Sequence, residues 1–164
     1  MISINFINIV ILSFVISCQP AIKSINHPEY ILFGIFCGEC DGHCATMHQY
    51  NIIGNTTTLF VDTTDSYFKN YGVVICKDQV TDKKKIDLAN SIVAQMPNYL
   101  FSSSKLTETF GCPDCEDGCG IYFEFKQDEI VKKFYIDYNT SELSPEIRKF
   151  AEFLKATITK LKTK

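Results

Sequence analysis

GIYFEFKQDEIVKKFYIDY, residues 120–138, has the pattern of a β-hairpin. Residues 120–126 and 130–138 are rich in aromatic and β-branched side chains, which favour strands. The intervening QDE, residues 127–129, is short and polar, as a tight turn requires. The many phenylalanine and tyrosine side chains are expected to supply the buried face of a sheet.

A helix is predicted directly after this hairpin. Ser144 is a natural N-cap, and Pro145 suits the first helical position. Apolar residues then recur at helical spacing and form one stripe: Ile147, Phe150, Ala151, Leu154, Ile158 and Leu161. A second helix is predicted over DKKKIDLANSIVAQMP, residues 82–97, with Asp82 as its cap and Pro97 as its end.

Two cysteine triplets stand beside the predicted strands. CGECDGHC, residues 37–44, and CPDCEDGC, residues 112–119, share the spacing C-x-x-C-x-x-x-C. The first triplet lies between predicted strands at 29–36 and 45–53, and a further strand is predicted over 57–64. The two triplets are offset by 75 positions, and each is followed by two strands and then a helix.

This common offset predicts an internal duplication with pseudo-repeats 29–100 and 101–164. Each repeat would be a β-(Cys loop)-β-β-α unit. Two such units predict a single α+β domain over residues 29–164, built on an antiparallel sheet with two helices on one face. The alternative is two unrelated hairpins that look alike because strands use few residue types.

Disulfide bonds are the first interpretation of the two triplets, because thiols of exported proteins tend to oxidise. If a pseudo-twofold axis relates the halves and the two loops meet near it, three bridges would join the halves. The predicted pairs are Cys37 with Cys119, Cys40 with Cys115, and Cys44 with Cys112. The alternative is local pairing within each loop, such as Cys40–Cys44 and Cys112–Cys115.

Metal binding and redox catalysis are the other two interpretations. Two C-x-x-C pairs are a common source of a thiolate site, so the same six cysteines are candidate zinc or copper ligands, with His43 and His48 as possible additions. A C-x-x-C redox site needs its cysteines at the start of a helix. Here each pair lies between predicted strands and among acidic residues, which raise rather than lower a thiol pKa.

The N-terminal sequence predicts export and anchoring. MISINFINIVILSFVIS, residues 1–17, contains no charged side chain, is mostly apolar, and is placed like a signal peptide. VISC, residues 15–18, resembles a bacterial lipobox, which implies cleavage before Cys18 and acylation of that cysteine with palmitate-type chains. Residues 18–28 would then be a lipidated tether, since more than one acyl chain gives a stable anchor. An ordinary signal peptide with a chance cysteine is the alternative.

Other chemistry finds little support in the sequence. The net charge of −3 gives no basic footprint for nucleic acid. No nucleophile elbow, HExxH motif, phosphate loop or dinucleotide-binding turn occurs, so an enzyme is not favoured. Cys76 ends YGVVIC, residues 71–76, which is predicted to be strand-like, and its thiol is expected to be buried as a small hydrophobic group.

Three segments resemble a group of small exported lipoproteins found in Bacteroidetes. They are ILFGIFCGECDGHC (31–44), FGCPDCEDGCGIYFEF (110–125) and KKFYIDYNTSELSPEIRKFAEFL (132–154). Because this group has no assigned activity, the resemblance implies a location in the cell envelope rather than a reaction. The chain departs from the group at Cys37 and Cys119, where other residues are usual. That joint departure agrees with a bridge between the two.

The sequence therefore predicts an exported, membrane-anchored lipoprotein of the bacterial periplasm or cell envelope. It would act as a binding or structural module with a disulfide-stapled core and no bound cofactor. The alternatives are a thiolate lipoprotein that binds zinc or copper and an exported thiol–disulfide protein. The membrane is the one partner that the sequence predicts, through Cys18.

Overall fold

The computed structural model describes residues 27–70, 72–115 and 118–162. The predicted signal peptide, Cys18 and most of the predicted tether lie outside these ranges. Within them, no helix combines the length and the apolar character that crossing a membrane would require.

The described residues form an α+β domain around one seven-stranded sheet, as predicted. The strands are β1 Tyr30–Cys37, β2 Ala45–Ile53, β3 Thr56–Val61, β4 Asp78–Val80, β5 Thr107–Phe110, β6 Cys119–Gln127 and β7 Ile130–Asp137. Their order across the sheet is β4-β3-β2-β1-β6-β7-β5. Neighbouring strands are antiparallel except β5 and β7, which run parallel.

The helices are α1 Ser66–Lys69, α2 Lys83–Gln95, α3 Asn98–Ser102 and α4 Pro145–Lys162, with a 3₁₀ turn at Thr140–Glu142. The two long helices, α2 and α4, pack against each other on one face of the sheet, which we call the helix face. Lys85 of α2 donates a hydrogen bond of 2.9 Å to the backbone oxygen of Leu161 near the end of α4. The prediction of two helices on one face is therefore confirmed.

The β6–β7 hairpin is the one predicted from residues 120–138. It turns through Asp128 and Glu129, both with positive φ, as a two-residue hairpin turn requires. Alternation along β6 places Phe123 and Phe125 on the helix face, where both are fully buried. Burying one such ring stabilises the fold by about 1.5–3 kcal/mol.

Both predicted helices are present. The side chain of Asp82 accepts from the backbone nitrogen of Lys84 at 2.9 Å and so caps α2, which ends at Gln95, just before Pro97. On α4, every residue of the predicted apolar stripe is buried: Ile147, Phe150, Ala151, Leu154, Ile158 and Leu161.

Two details differ from the sequence-based expectations. Residues 72–76 form no strand. They cross the sheet face opposite the helices, where Val74 and Cys76 pack against it, and the short strand β4 follows. The strand order also does not repeat between the halves, because β1 pairs with β2 whereas its counterpart β5 pairs with β7. The duplication thus remains a prediction.

Candidate functional site

The cysteine loops meet at one end of the sheet, which we call the cysteine end. Loop 38–44 joins β1 to β2, and loop 111–118 joins β5 to β6. The backbone nitrogen of Gly38 donates to Asp114 Oδ1 at 2.6 Å, which links the two loops directly. The backbone nitrogen of Cys112 donates to Asp137 Oδ2 at 2.9 Å, which holds the second loop over the end of β7.

One bridge joins the two halves of the chain. Cys37 and Cys119 lie directly opposite each other on β1 and β6 with Cα atoms 4.1 Å apart, and their sulfurs are bonded. The other two bridges are local, Cys40–Cys44 and Cys112–Cys115, each with Cα atoms 5.5 Å apart. The structure thus contains the predicted Cys37–Cys119 bridge, whereas the predicted pairs Cys40–Cys115 and Cys44–Cys112 are wrong.

The strand order explains why the cross-pairing fails. Cys44 lies just before β2, while Cys112 is held at the end of β7. Three strand spacings of about 4.8 Å separate these strands, or roughly 14 Å in all. A disulfide tolerates a Cα separation of only about 7 Å. Cys44 and Cys112 therefore cannot reach each other, and each is bonded within its own loop, to Cys40 and to Cys115 respectively.

The cysteine end has no ligand set for a metal in this arrangement. All six sulfurs of the triplets are paired, and nowhere in ranges 27–70, 72–115 and 118–162 do three His, Cys, Asp or Glu side chains converge as a metal site. His43 is an exposed loop residue, and His48 is buried among the side chains of the helix face.

The C-x-x-C pair of the second loop lies in a turn between strands. The backbone nitrogen of Cys115 donates to the oxygen of Cys112 at 3.2 Å, with Pro113 second and Asp114 third at φ 65°. These are the features of a type II turn. Within the described residues, no α-helix begins at this pair, whereas a helix start is the setting that lowers the thiol pKa in redox sites.

Cys76 carries the free thiol of the described ranges. It is half-buried against the face opposite the helices, with its sulfur 3.6 Å from the backbone oxygen of Met47. Burial, and secondarily the nearby charge of Asp62, raises the pKa of this thiol to about 12. Cys76 therefore stays protonated at neutral pH and is unreactive, as a buried hydrophobic group would be.

A cluster of polar side chains lies on the sheet face opposite the helices. Glu124, in the middle of β6, is only 9% exposed. The hydroxyl of Tyr30 donates to Glu124 Oε1 at 2.7 Å, and the hydroxyl of Tyr122 donates to Oε2 at 2.5 Å. Lys133 Nζ lies 3.5 Å from the same Oε2. We call Tyr30, Tyr122, Glu124 and Lys133 the Tyr–Glu cluster.

Strand register builds this cluster. Tyr122 and Glu124 are two residues apart on β6 and so share one face, while Lys133 is directly across from Glu124 on β7. Burial, and next the hydrogen bond to Glu124, raises the pKa of both Tyr30 and Tyr122. Both phenols therefore keep their protons and act as donors to the carboxylate.

A cleft of about 250 Å³ lies between this cluster and the chain segment that crosses the sheet at residues 72–74. Its walls combine the Tyr–Glu cluster with an amide and three apolar side chains. The lining residues are Tyr30, Leu32, Gln49, Gly72, Val73, Val74, Tyr122, Glu124 and Lys133. Val73 is 60% exposed, so the cleft borders solvent at that residue.

A larger concavity of about 510 Å³ lies between the end of α2 and the start of α4. Its charged lining residues, Glu146 and Lys149, are both exposed. The Tyr–Glu cleft instead contains a nearly buried carboxylate held by three partners. Convergent polar groups in a mainly apolar recess are the usual mark of a binding site, so we take the smaller cleft as the candidate site.

This cleft is not predicted from the sequence. The available signal was Glu124, a charged residue inside a strand whose other members are mostly aromatic. A carboxyl group at such a position is rarely buried without partners. Tyr30, Gln49 and the segment 72–74 could not be placed beside Glu124 without knowledge of the strand order.

The chain was compared with models of protein families, with curated proteins and with solved structures, and none of them matches it. The geometry of the described residues is therefore the ground for assigning a function.

Proposed function

We propose that this protein is an exported, membrane-anchored lipoprotein that acts as a binding module and holds its ligand in the Tyr–Glu cleft. The observation that carries the proposal is Glu124, a nearly buried carboxylate with three polar partners that lines a recess bordering solvent. Burying an ionised group costs several kcal/mol unless it is paired, and here the hydroxyls of Tyr30 and Tyr122 and the amine of Lys133 supply the partners.

The cysteines have a structural role in this proposal. The Cys37–Cys119 bridge joins β1 to β6, and Tyr30 and Glu124 lie on these same two strands. The bridge therefore fixes the strand pair that carries the cleft. With their six sulfurs paired, the triplets offer neither thiolate ligands nor a nucleophile.

The anchor would place the cleft close to a membrane. A tether of residues 18–28 spans at most about 40 Å when fully extended. β1 begins at Tyr30, which lines the cleft, and ends at Cys37, at the cysteine end. An acylated Cys18 would thus hold the start of β1, and with it Tyr30 of the cleft, within about 40 Å of the membrane.

The proposal is tested by mapping where small molecules bind to the full chain, purified after export. A chemically diverse fragment library is screened by ¹H–¹⁵N NMR. We expect chemical-shift changes to concentrate at the residues that line the cleft, notably Tyr30, Gln49 and Glu124. Fragments that bind elsewhere, or nowhere, would contradict the proposal.

Two matched variants make this test specific. Val73→Trp adds a bulky side chain at the 60% exposed residue of the cleft wall, and Ile53→Trp adds the same side chain at a 73% exposed residue that does not line the cleft. We expect Val73→Trp to abolish the shift changes and Ile53→Trp to leave them unaltered. Equal behaviour of the two variants would count against the cleft.

A further inference from the structure

We propose that the ligand of the Tyr–Glu cleft is a neutral sugar, bound as one pyranose ring, either free or at the end of a glycan. This inference rests on the proposed function and assigns it a ligand class. Three properties of the cleft lead to it, namely charge balance, the hydrogen-bonding groups that remain available, and size.

The first property is charge balance. Glu124 and Lys133 are the charged residues that line the cleft, and they lie 3.5 Å apart. Beside the cleft, Lys126 pairs with Glu29 at 2.8 Å and with Glu129 at 3.3 Å, so these charges also have partners of opposite sign. A charged ligand would have to give up its hydration without an opposite charge to replace it, which is costly. A neutral ligand avoids this cost.

The second property is a mixed set of donors and acceptors. The hydroxyl of Tyr30 donates its proton to Glu124, so the Tyr30 oxygen can only accept a hydrogen bond from a ligand. Gln49 donates from Nε2 to Asn51 Oδ1 at 2.8 Å, which leaves Gln49 Oε1 as an acceptor. Lys133 is 44% exposed and carries donors only. A sugar hydroxyl both donates and accepts, and so it suits either kind of partner.

The third property is the size of the cleft and the apolar character of part of its wall. Its volume of about 250 Å³ lies below the range of roughly 300–1,000 Å³ that drug-sized ligands occupy. A single ring of sugar size is therefore the appropriate scale. Leu32, Val73 and Val74 supply apolar walls beside the polar groups, which matches a pyranose, because its C–H surfaces alternate with hydroxyls.

Saturation-transfer NMR on the full chain tests the inference. The neutral probes are glucose, galactose, mannose and N-acetylglucosamine, and the charged probes are glucuronic acid and glucosamine. We expect at least one neutral sugar to bind and both charged sugars to bind at least about tenfold more weakly. Absence of binding by every neutral sugar, or equal binding of the charged sugars, would overturn the inference.

Two variant pairs connect any binding to the cleft. Val73→Trp is expected to weaken the sugar at least about tenfold, and Ile53→Trp is expected to have no effect. Glu124→Gln is likewise expected to weaken it. The control for this variant is Glu108→Gln, at a glutamate outside the cleft with the same kinds of partner. Glu108 accepts a hydrogen bond from Tyr99 at 2.7 Å and pairs with Lys105 at 2.9 Å. Sugar binding that Val73→Trp leaves unchanged would overturn the inference.

The two proposals can fail separately. If fragments map to the cleft but no neutral sugar binds, the ligand class is wrong and the binding module stands. If neither fragments nor sugars bind there, both proposals fail. A peptide-like or charged fragment that occupies the cleft more tightly than every sugar would also overturn the assignment of the ligand.

Discussion

Replacing Cys37 and Cys119 together by serine is expected to lower the free energy of unfolding by about 4.5 kcal/mol. The bridge closes a loop of 82 residues, and in the chain-entropy model such a cross-link restricts the unfolded chain by about this amount. A domain of ordinary stability has only about 5–15 kcal/mol in total. Loss of this one bridge would therefore remove roughly 30% or more of the stability.

The control is the double replacement of Cys112 and Cys115 by serine. These residues are 3 positions apart, so the same model gives an effect of only about 1.5–2 kcal/mol. Guanidinium unfolding under non-reducing conditions, followed by far-UV circular dichroism, measures the free energy of unfolding of each double variant. Equal losses from the two double variants would mean that the long-range bridge does not join the halves as described.

Acid is expected to destabilise the protein through His48. Its ring is 3% exposed and stacks on Phe33 with centroids 5.5 Å apart, and its Nδ1 has no hydrogen-bond partner among the described residues. Burial, and next the positive charges of Lys162 and Lys85, lower the pKa of His48 to about 4. The imidazole of the folded chain is therefore neutral at pH values where an exposed histidine is charged.

The sign of the effect follows from proton uptake. As the pH falls from about 6.5 to about 4, the unfolded chain binds a proton at His48 that the folded chain does not, so stability decreases in this window. The full shift corresponds to about 3 kcal/mol, of which about 2.5 kcal/mol is lost by about pH 4.5. Carboxyl groups with a lowered pKa, such as that of Asp62, lose their contribution at still lower pH.

Substitution at His48 isolates this contribution. His48→Leu is expected to abolish the loss of stability between about pH 7.5 and about pH 4.5, whereas His43→Gln, which changes an exposed loop residue, should retain it. Guanidinium unfolding at the two pH values measures the difference. A pH dependence that persists undiminished in His48→Leu would show that other groups are responsible.

Local patterns predicted the elements of the fold well. The stripe from Ile147 to Leu161 and the cap at Asp82 depend on residues a few positions apart, and both occur as predicted. The hairpin over 120–138 likewise depends on alternation and a short turn. These features are determined by neighbours in the sequence, so the sequence alone could identify them.

Features that depend on strand order were predicted poorly. The 75-residue offset suggested equivalent halves, but β5 pairs with β7, and this leaves Cys112 far from Cys44. The Cys37–Cys119 pair was nevertheless correct, because β1 does lie beside β6. The cleft at Glu124 escaped prediction for the same reason, since its walls come from segments that meet only in the folded sheet.

Intact mass tests most directly whether the cysteine triplets are disulfide staples in the exported, anchored domain that we propose. The mature protein is denatured without reductant, alkylated and weighed, and the bridges are assigned from peptides of a non-reducing digest. We expect a mass lower by six hydrogens, one alkylated thiol at Cys76, a lipid adduct at Cys18, and a peptide pair joined through Cys37 and Cys119. Stoichiometric zinc or copper, with all six triplet cysteines alkylated after chelation, would contradict the account.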